Sequence, residues 1–362
     1  MMTMSKFFTE RLASLEAYVP GEQPRDRKYI KLNTNESPFP PSPSVIAAAE
    51  EEAGRLQLYS DPECKLIVDK LAELYGVDPS MVIVTNGSDE VLNFAFMAFF
   101  DEHRTALFPD ITYGFYPVFA NLNRVPYEEV PLAPDFSINY KDYLGVGKNV
   151  VIANPNAPTG LSLSLSEIEE IVASNPDNVV IIDEAYVDFG GESAYRLCEK
   201  YNNLIVTGTF SKSRSLAGAR LGFGIACPEL IRDLNTVRYS TNPYNVNRMT
   251  MACGYRAICD NDYYMENCRT VMENREYTRD KLISLGFNVL PSDANFLFAE
   301  SPDVSGKELY LALKARGILV RHFSKERIKN FNRITVGTRA EMDALLDAVR
   351  EILGDKNETS GN

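Results

Sequence analysis

Between about residues 46 and 240, short apolar runs alternate with stretches of helical spacing, as βαβ units around a buried parallel sheet do in sequence. The strand candidates are MVIVTN (81–86), TALFP (105–109), NVVIAN (149–154), NVVIIDEAY (178–186), NLIVTGTFSK (203–212) and ARLGFGIA (219–226). Ser164 and Glu167 form a possible capping box, and Ile168, Ile171 and Val172 follow at helical spacing, so a right-handed crossover helix is expected there. Beyond residue 245 the pattern changes to a long charged helix, the run NVLPSDANFLFAE, a helix near 305–316, then ILVRHF and RITVGT. A last helix should open at Thr338, with Glu341 three residues on, and bury Met342, Leu345, Leu346 and Val349.

These patterns predict an α/β protein. Residues 46–245 would form a three-layer αβα large domain with a mainly parallel sheet, and 246–353 a smaller α+β domain. The Pro-rich, polar residues 1–45 read as an arm packing with the small domain, and 354–362 as a disordered tail. A length of 362 residues agrees with two domains rather than one.

Composition narrows the partners. A formal net charge of −13 opposes binding to nucleic acid or anionic membrane, although a few arginines focused in one cleft can still hold a small anion. The six cysteines include no Cys-x-x-Cys pair, and with only His103 and His322 beside them they make a poor zinc set, so free thiols are expected and no metal. The N-terminus lacks a long apolar stretch and no run approaches membrane-spanning length, which predicts a cytoplasmic protein.

Three places carry candidate chemistry. Lys212 follows an apolar strand and precedes the Gly-rich AGARLGFG, at the sheet mouth where α/β folds bind ligands. Partial desolvation there makes an amine nucleophilic toward aldehydes, whereas a lysine considered alone is usually a solvated surface residue. Asp183 ends the apolar run NVVIID, where a buried carboxylate needs a cation such as a protonated pyridine nitrogen. Tyr186 could then reach the ring's phenolic oxygen; a helix cap and a core tyrosine are the plain alternatives. Asn86-Gly-Ser88-Asp89-Glu90 lies between a strand and a helix, offering backbone N–H groups to a phosphate, or only a capped helix. Ser211 and Arg220 add phosphate donors.

Taken in order, NGSDE, the tyrosine of DITYGFY, NPNAPTG, DEAYVDF, TFSKSRSLAGARLGFG and RITVGT resemble the fold-type I aminotransferases, and most closely the histidinol-phosphate aminotransferase family. The resemblance covers nearly the whole chain, and six motifs in order are far more specific than any one. It implies pyridoxal 5′-phosphate as cofactor, joined to Lys212 as a Schiff base, with Asp183 on the pyridine nitrogen, Tyr186 on the phenolic oxygen and Tyr113 stacked on the ring. Ser88, Asp89, Thr209, Ser211 and Arg220 would hold the phosphate. Tyr59, in LQLYSDP, matches a tyrosine that reaches the phosphate from a partner subunit, so a homodimer with shared sites is implied. Where the family usually has asparagine before Pro-Thr-Gly stands Ala157, leaving Asn156 or Asn154 to substitute, or Tyr186 as the only contact.

At the chain's ends, LEAYVPG and LNTNESP look like the entry segments of the same family. Tyr18, Asn35, Arg321 and Arg333 are then the substrate-binding candidates, Tyr18 and Arg321 near the substrate phosphate. A strand-edge surface arginine is the plain alternative for Arg321. The implied reaction is transamination between histidinol phosphate and 2-oxoglutarate, giving imidazole acetol phosphate and glutamate, a step of histidine biosynthesis. Threonine-phosphate decarboxylases and aromatic aminotransferases look similar. A binding protein that had lost catalysis is a further alternative, disfavoured because Lys212 and Asp183 are both present.

Overall fold

The computed structural model describes residues 5–12, 15 and 21–360. Its larger sheet has seven strands: β2 (Val82–Thr85), β3 (Ala106–Pro109), β4 (Tyr127–Val130), β5 (Asn149–Ala153), β6 (Val180–Asp183), β7 (Leu204–Thr209) and β8 (Gly222–Ala226). The first strand of the chain, β1 (Ile30–Leu32), lies in a second sheet with β9 (Asn288–Val289), β10 (Phe296–Glu300), β11 (Ile318–His322) and β12 (Phe331–Thr335). Strand order in the large sheet is β2-β8-β7-β6-β5-β3-β4, parallel except for β8, which runs antiparallel to both its neighbours.

The apolar runs are continuous because both sheet faces are covered, and within them alternate residues serve opposite cores. In β5, Val150 and Ile152 join one cluster with Ile168, Ile171 and Val172 of the crossover helix. Val151 joins the other, with Phe96, Phe108 and Ile231. β4 escaped the sequence pattern because it is an edge strand whose residues Tyr127, Glu128 and Glu129 are exposed.

Helices cover both faces: α1 (Pro43–Ala53), α2 (Lys65–Tyr75), α3 (Ser88–Phe99), α4 (Tyr116–Asn123), α5 (Leu165–Ser174) and α6 (Pro228–Thr241). The rest are α7 (Arg248–Cys259), α8 (Asn261–Ser284), α9 (Gly306–Ala315) and α10 (Arg339–Ser360). The expected capping boxes are formed, Ser164 with Glu167 at α5 and Thr338 with Glu341 at α10. Met342, Leu345, Leu346 and Val349 are all buried against the small sheet.

Two boundaries differ from expectation, and the arm, expected to pack with the small domain, forms a strand there. α7 packs on α1 and α2 within the large core, so the change to small-domain packing falls inside α8, where Tyr264 joins the large core and Cys268, Val271 and Leu282 the small one, rather than at residue 245. β1 pairs parallel with β11, so the arm supplies an edge strand to the small sheet. The tail expected from residue 354 is helical through Ser360, with Arg316 of the α9 C-cap pairing with Glu351 and Asp355 on one face of α10.

Candidate active site

The C-terminal ends of β5, β6 and β7 open onto two adjoining cavities of about 300 and 540 Å³. Both are walled by Thr34, Tyr113, Ala157, Tyr186 and Lys212, so the lysine stands where they meet. This is where an open α/β sheet presents its ligand crevice, outside the carboxyl ends of the strands.

The smaller lobe is lined by Ser88, Asp89, Asp183, Thr209, Ser211 and Arg220. Asp183, only 5% exposed, closes β6; its Oδ1 accepts from Thr207 Oγ1 and its Oδ2 from the Tyr116 hydroxyl, each at 3.0 Å. Burial pushes its carboxyl up to about 6 against the downward pull of those two hydrogen bonds. Neither partner carries a positive charge, so the carboxylate at this wall is electrostatically incomplete and suits a cationic ring nitrogen. Thr207 was not among the sequence candidates, although it lies two residues before Thr209 on the same strand face. Tyr116 was missed as well, three residues after Tyr113 and one helical turn away.

At the other end of the lobe α3 begins, and its first backbone N–H groups have no acceptor within the helix. Gly87, its N-cap, has φ 81°, a conformation favouring glycine. Gly222 of β8 abuts this corner so closely that a Cβ on it would stand 2.2 Å from the backbone nitrogen of Ser88. Arg220 reaches across, with Nη1 donating to Ser211 Oγ at 3.3 Å and Nη2 pairing with Asp89 Oδ2 at 3.2 Å. The Tyr113 hydroxyl donates to Asp89 Oδ1 at 2.9 Å, and Thr209 Oγ1 donates to Ser211 Oγ at 3.0 Å. Helix N-terminus, hydroxyls and guanidinium together form a dianion cradle.

Lys212 Nζ donates to the backbone oxygen of Thr34 at 3.3 Å and lies 5.8 Å from the centre of the Tyr186 ring. The larger lobe adds Asn33, Asn35, Arg321, Phe323, Lys325 and Arg333. Arg333 Nη2 donates to the backbone oxygen of Asn33 at 3.1 Å, with the guanidinium 5.4 Å from the Phe296 ring centre. Two arginines and a lysine make this lobe suited to an anionic substrate.

Three expected residues stand elsewhere, and a fourth is not described. Asn156 is buried outside both linings, with Oδ1 accepting from Thr112 and Nδ2 donating to the backbone of Ile111 and to Thr159; its amide is spent on the loop. Asn154 is likewise closed on Leu163 through both amide atoms. Tyr59 is 80% exposed, stacked on Tyr244 with ring centres 4.6 Å apart, and lines neither lobe of its own chain. Tyr18 lies outside the described residues.

Comparison with known proteins decides the family: the model for aminotransferase class I and II matches residues 27–349. The chain belongs to the class I and II aminotransferases. As an aminotransferase it is 48% identical to the histidinol-phosphate aminotransferase of Brachyspira hyodysenteriae over 97% of this chain and 99% of that one. It is 47% identical to the enzyme so named in Clostridium acetobutylicum, over 97% and 100%. Its fold matches the crystal structure of the Sinorhizobium meliloti histidinol-phosphate aminotransferase in complex with pyridoxal-5′-phosphate, with TM-score 0.89, 24% identity and coverage of 98% and 100%. The expected fold-type I architecture is therefore the observed one.

Proposed function

We propose that this aminotransferase uses pyridoxal 5′-phosphate to exchange an amino group between histidinol phosphate and 2-oxoglutarate, giving imidazole acetol phosphate and glutamate. The observation that carries the reading is the meeting of two lobes at Lys212, one with a buried, cation-seeking Asp183 and a phosphate cradle, the other with Arg321 and Arg333. The names of the two full-length relatives support the substrate.

The lobe's donor set fits the cofactor, which when bound supplies an electron sink for a carbanion at the substrate Cα. Asp183 holds a proton on the pyridine nitrogen, and Thr207 and Tyr116 keep the carboxylate ionised and aimed. Ser88, Asp89, Thr209, Ser211 and Arg220 would hold the phosphate, Tyr113 would pack on the ring and Tyr186 would serve its phenolic oxygen. Lys212 Nζ would take the proton from substrate Cα as general base and deliver it as general acid to C4′ of the cofactor, so that the amino group can pass to it. Arg321 and Arg333 orient the anionic ends of the substrate, so that the Cα–H bond is presented to Lys212.

We further propose a homodimer with shared sites. Tyr59, with the exposed Leu56 and Leu58 beside it, forms an apolar surface outside its own chain's cavities, suited to a second copy. No helix among the described residues is long and apolar enough to cross a membrane, and a cytoplasmic location belongs to the same proposal.

The test is to add histidinol phosphate, threonine phosphate and phenylalanine separately to the holoenzyme and follow cofactor absorbance and products. Conversion with histidinol phosphate and release of imidazole acetol phosphate is expected. Carbon dioxide from threonine phosphate, or faster conversion of phenylalanine, would replace the substrate assignment.

A further inference from the structure

The hydrogen bonds around Asn35 determine where the Tyr186 proton goes. Asn35 follows β1 in a left-handed backbone conformation, φ 56°, which asparagine tolerates better than most residues. Its backbone N–H donates to Thr335 Oγ1 at 2.9 Å, and that same hydroxyl lies 3.0 Å from Asn35 Oδ1. Thr335 Oγ1, which accepts the first bond, donates its one proton to Oδ1 in the second, so Oδ1 is the end of the amide that faces Thr335. The other end, Nδ2, faces the Tyr186 hydroxyl at 2.9 Å and can only donate. Tyr186 is therefore an acceptor toward Asn35, and its own proton points elsewhere. Asn295 Nδ2 donates to the Asn35 backbone oxygen at 3.0 Å and locks the assembly to the small sheet.

Ala157 gives this arrangement its consequence. It presents only a methyl group to both lobes, while the amide of Asn154 is closed on Leu163 and that of Asn156 on Ile111, Thr112 and Thr159. At this wall Tyr186 is the side chain with a proton to offer. We propose that Asn35 is a positioning residue, which by donating to Tyr186 directs the tyrosine proton into the cofactor lobe and onto the cofactor's phenolic oxygen. The inference rests on the proposed use of pyridoxal 5′-phosphate, and it moves Asn35 from the expected substrate contacts to the support of Tyr186. The cofactor tyrosine is thereby tied to β12, whose Arg333 faces the substrate lobe.

The readout is the pH midpoint of the visible band of the lysine-bound cofactor, measured without substrate. A donor to the phenolic oxygen draws electron density from it, weakens its hold on the Schiff-base proton and lowers that midpoint. Asn35→Asp replaces the donor by an acceptor of the same shape, so the Tyr186 proton turns to the new carboxylate and the midpoint rises by about one pH unit, a tenfold change in the protonation equilibrium. Tyr186→Phe raises it similarly, and the double variant rises no further than Tyr186→Phe alone. Asn35→Ala, which adds no charge, gives a smaller rise. Ala157→Asn, which leaves the Asn35 hydrogen bonds in place, lowers the midpoint by supplying a second donor. Glu36, Asp89, Tyr113, Asp183, Arg220 and Arg333 also face the lysine and the two lobes and remain in place throughout. A midpoint indifferent to residue 35, or a rise that persists in the Tyr186→Phe background as a through-space charge effect, overturns the positioning role. A native protein with no visible band, and no borohydride-fixed adduct at Lys212, defeats the cofactor reading itself.

Discussion

The substitution Asp183→Asn should act in opposite directions on the apoprotein and the loaded enzyme. In the apoprotein the carboxylate sits almost wholly buried with two neutral donors, and its pKa rises from the ordinary 3.8 to about 6 because burial penalises the charged form. At about 1.4 kcal/mol per pH unit, the folded apoprotein carries a cost of about 3 kcal/mol for this charge at neutral pH. A carboxyl raised on folding contributes stability that is fully present below pH 3.8 and is lost as pH rises through 6. The amide of the variant does not titrate in this range, so the variant escapes the loss; the Thr207 and Tyr116 hydroxyls can rotate to serve an amide, at a cost that does not vary with pH. Stability of variant minus native apoprotein should therefore climb by about 2 kcal/mol between pH 4 and pH 8 from this group. Glu184, pushed up to about 8 chiefly by burial and also by the Asp183 charge, titrates in both proteins; losing that charge lowers its pKa in the variant and adds to the climb toward pH 8. The assay is urea unfolding of cofactor-free protein at fixed protein concentration across this range. With cofactor bound the sign reverses, because a neutral amide cannot hold the pyridine nitrogen protonated. Turnover should fall by well over tenfold, more than about 1.4 kcal/mol in barrier. A stability difference flat from pH 4 to 8 would refute the claim that Asp183 is a desolvated charge awaiting a cation.

Lys212→Ala should remove both the visible band and turnover while leaving the melting temperature of the apoprotein nearly unchanged, since the amine's one hydrogen bond is to the Thr34 backbone; retained transamination sinks the assignment. Gly222→Ala places a methyl carbon 2.2 Å from the Ser88 nitrogen, so β8 and the start of α3 must part, with a stability loss of about 1–3 kcal/mol and weakened cofactor retention by equilibrium dialysis; unaltered retention would show that this corner does not hold the phosphate. Mixing Lys212→Ala with Tyr59→Ala subunits should restore activity toward half of native per heterodimer, because one shared site carries both lesions and the other neither. Absence of rescue, with subunit exchange verified, removes Tyr59 from the partner's site.

Much of this architecture was legible because its signals are local. A buried parallel strand shows as a continuous apolar run, and a helix start shows as Ser164 with Glu167 or Thr338 with Glu341, each settled within a few residues. The motif residues Ser88, Asp89, Asp183, Thr209, Ser211 and Lys212 reach one lobe because each sits at or just after the C-terminal end of a strand running the same way, and Arg220 joins them because it precedes β8, the antiparallel strand, whose start lies at that edge. The edge strand β4 was lost to the same logic, since a strand with a solvent-facing side carries no such run.

What stayed hidden is the support of those residues, which depends on register and on long-range contact. Asp183 lies directly opposite Thr207 because β6 and β7 pair Val180 with Leu204, and shifting that register by one residue would carry Thr207 to the other face. Nothing in either strand's composition sets that alignment. Tyr116 meets Asp183 across 67 residues of chain, and Asn35 meets Thr335 across 300. Ala157 is visible in sequence and leaves Asn154, Asn156 or Tyr186 alone as the alternatives; the fold closes the amide of Asn154 on Leu163 and that of Asn156 on Ile111, Thr112 and Thr159. Under the proposed arrangement the contact rests on Tyr186, whose hydroxyl accepts from Asn35, a residue of the segment that a turn-by-turn reading assigns to an arm. A cofactor contact set by proton direction is fixed by the acceptors and donors behind it, so the residue that decides it need not touch the cofactor at all.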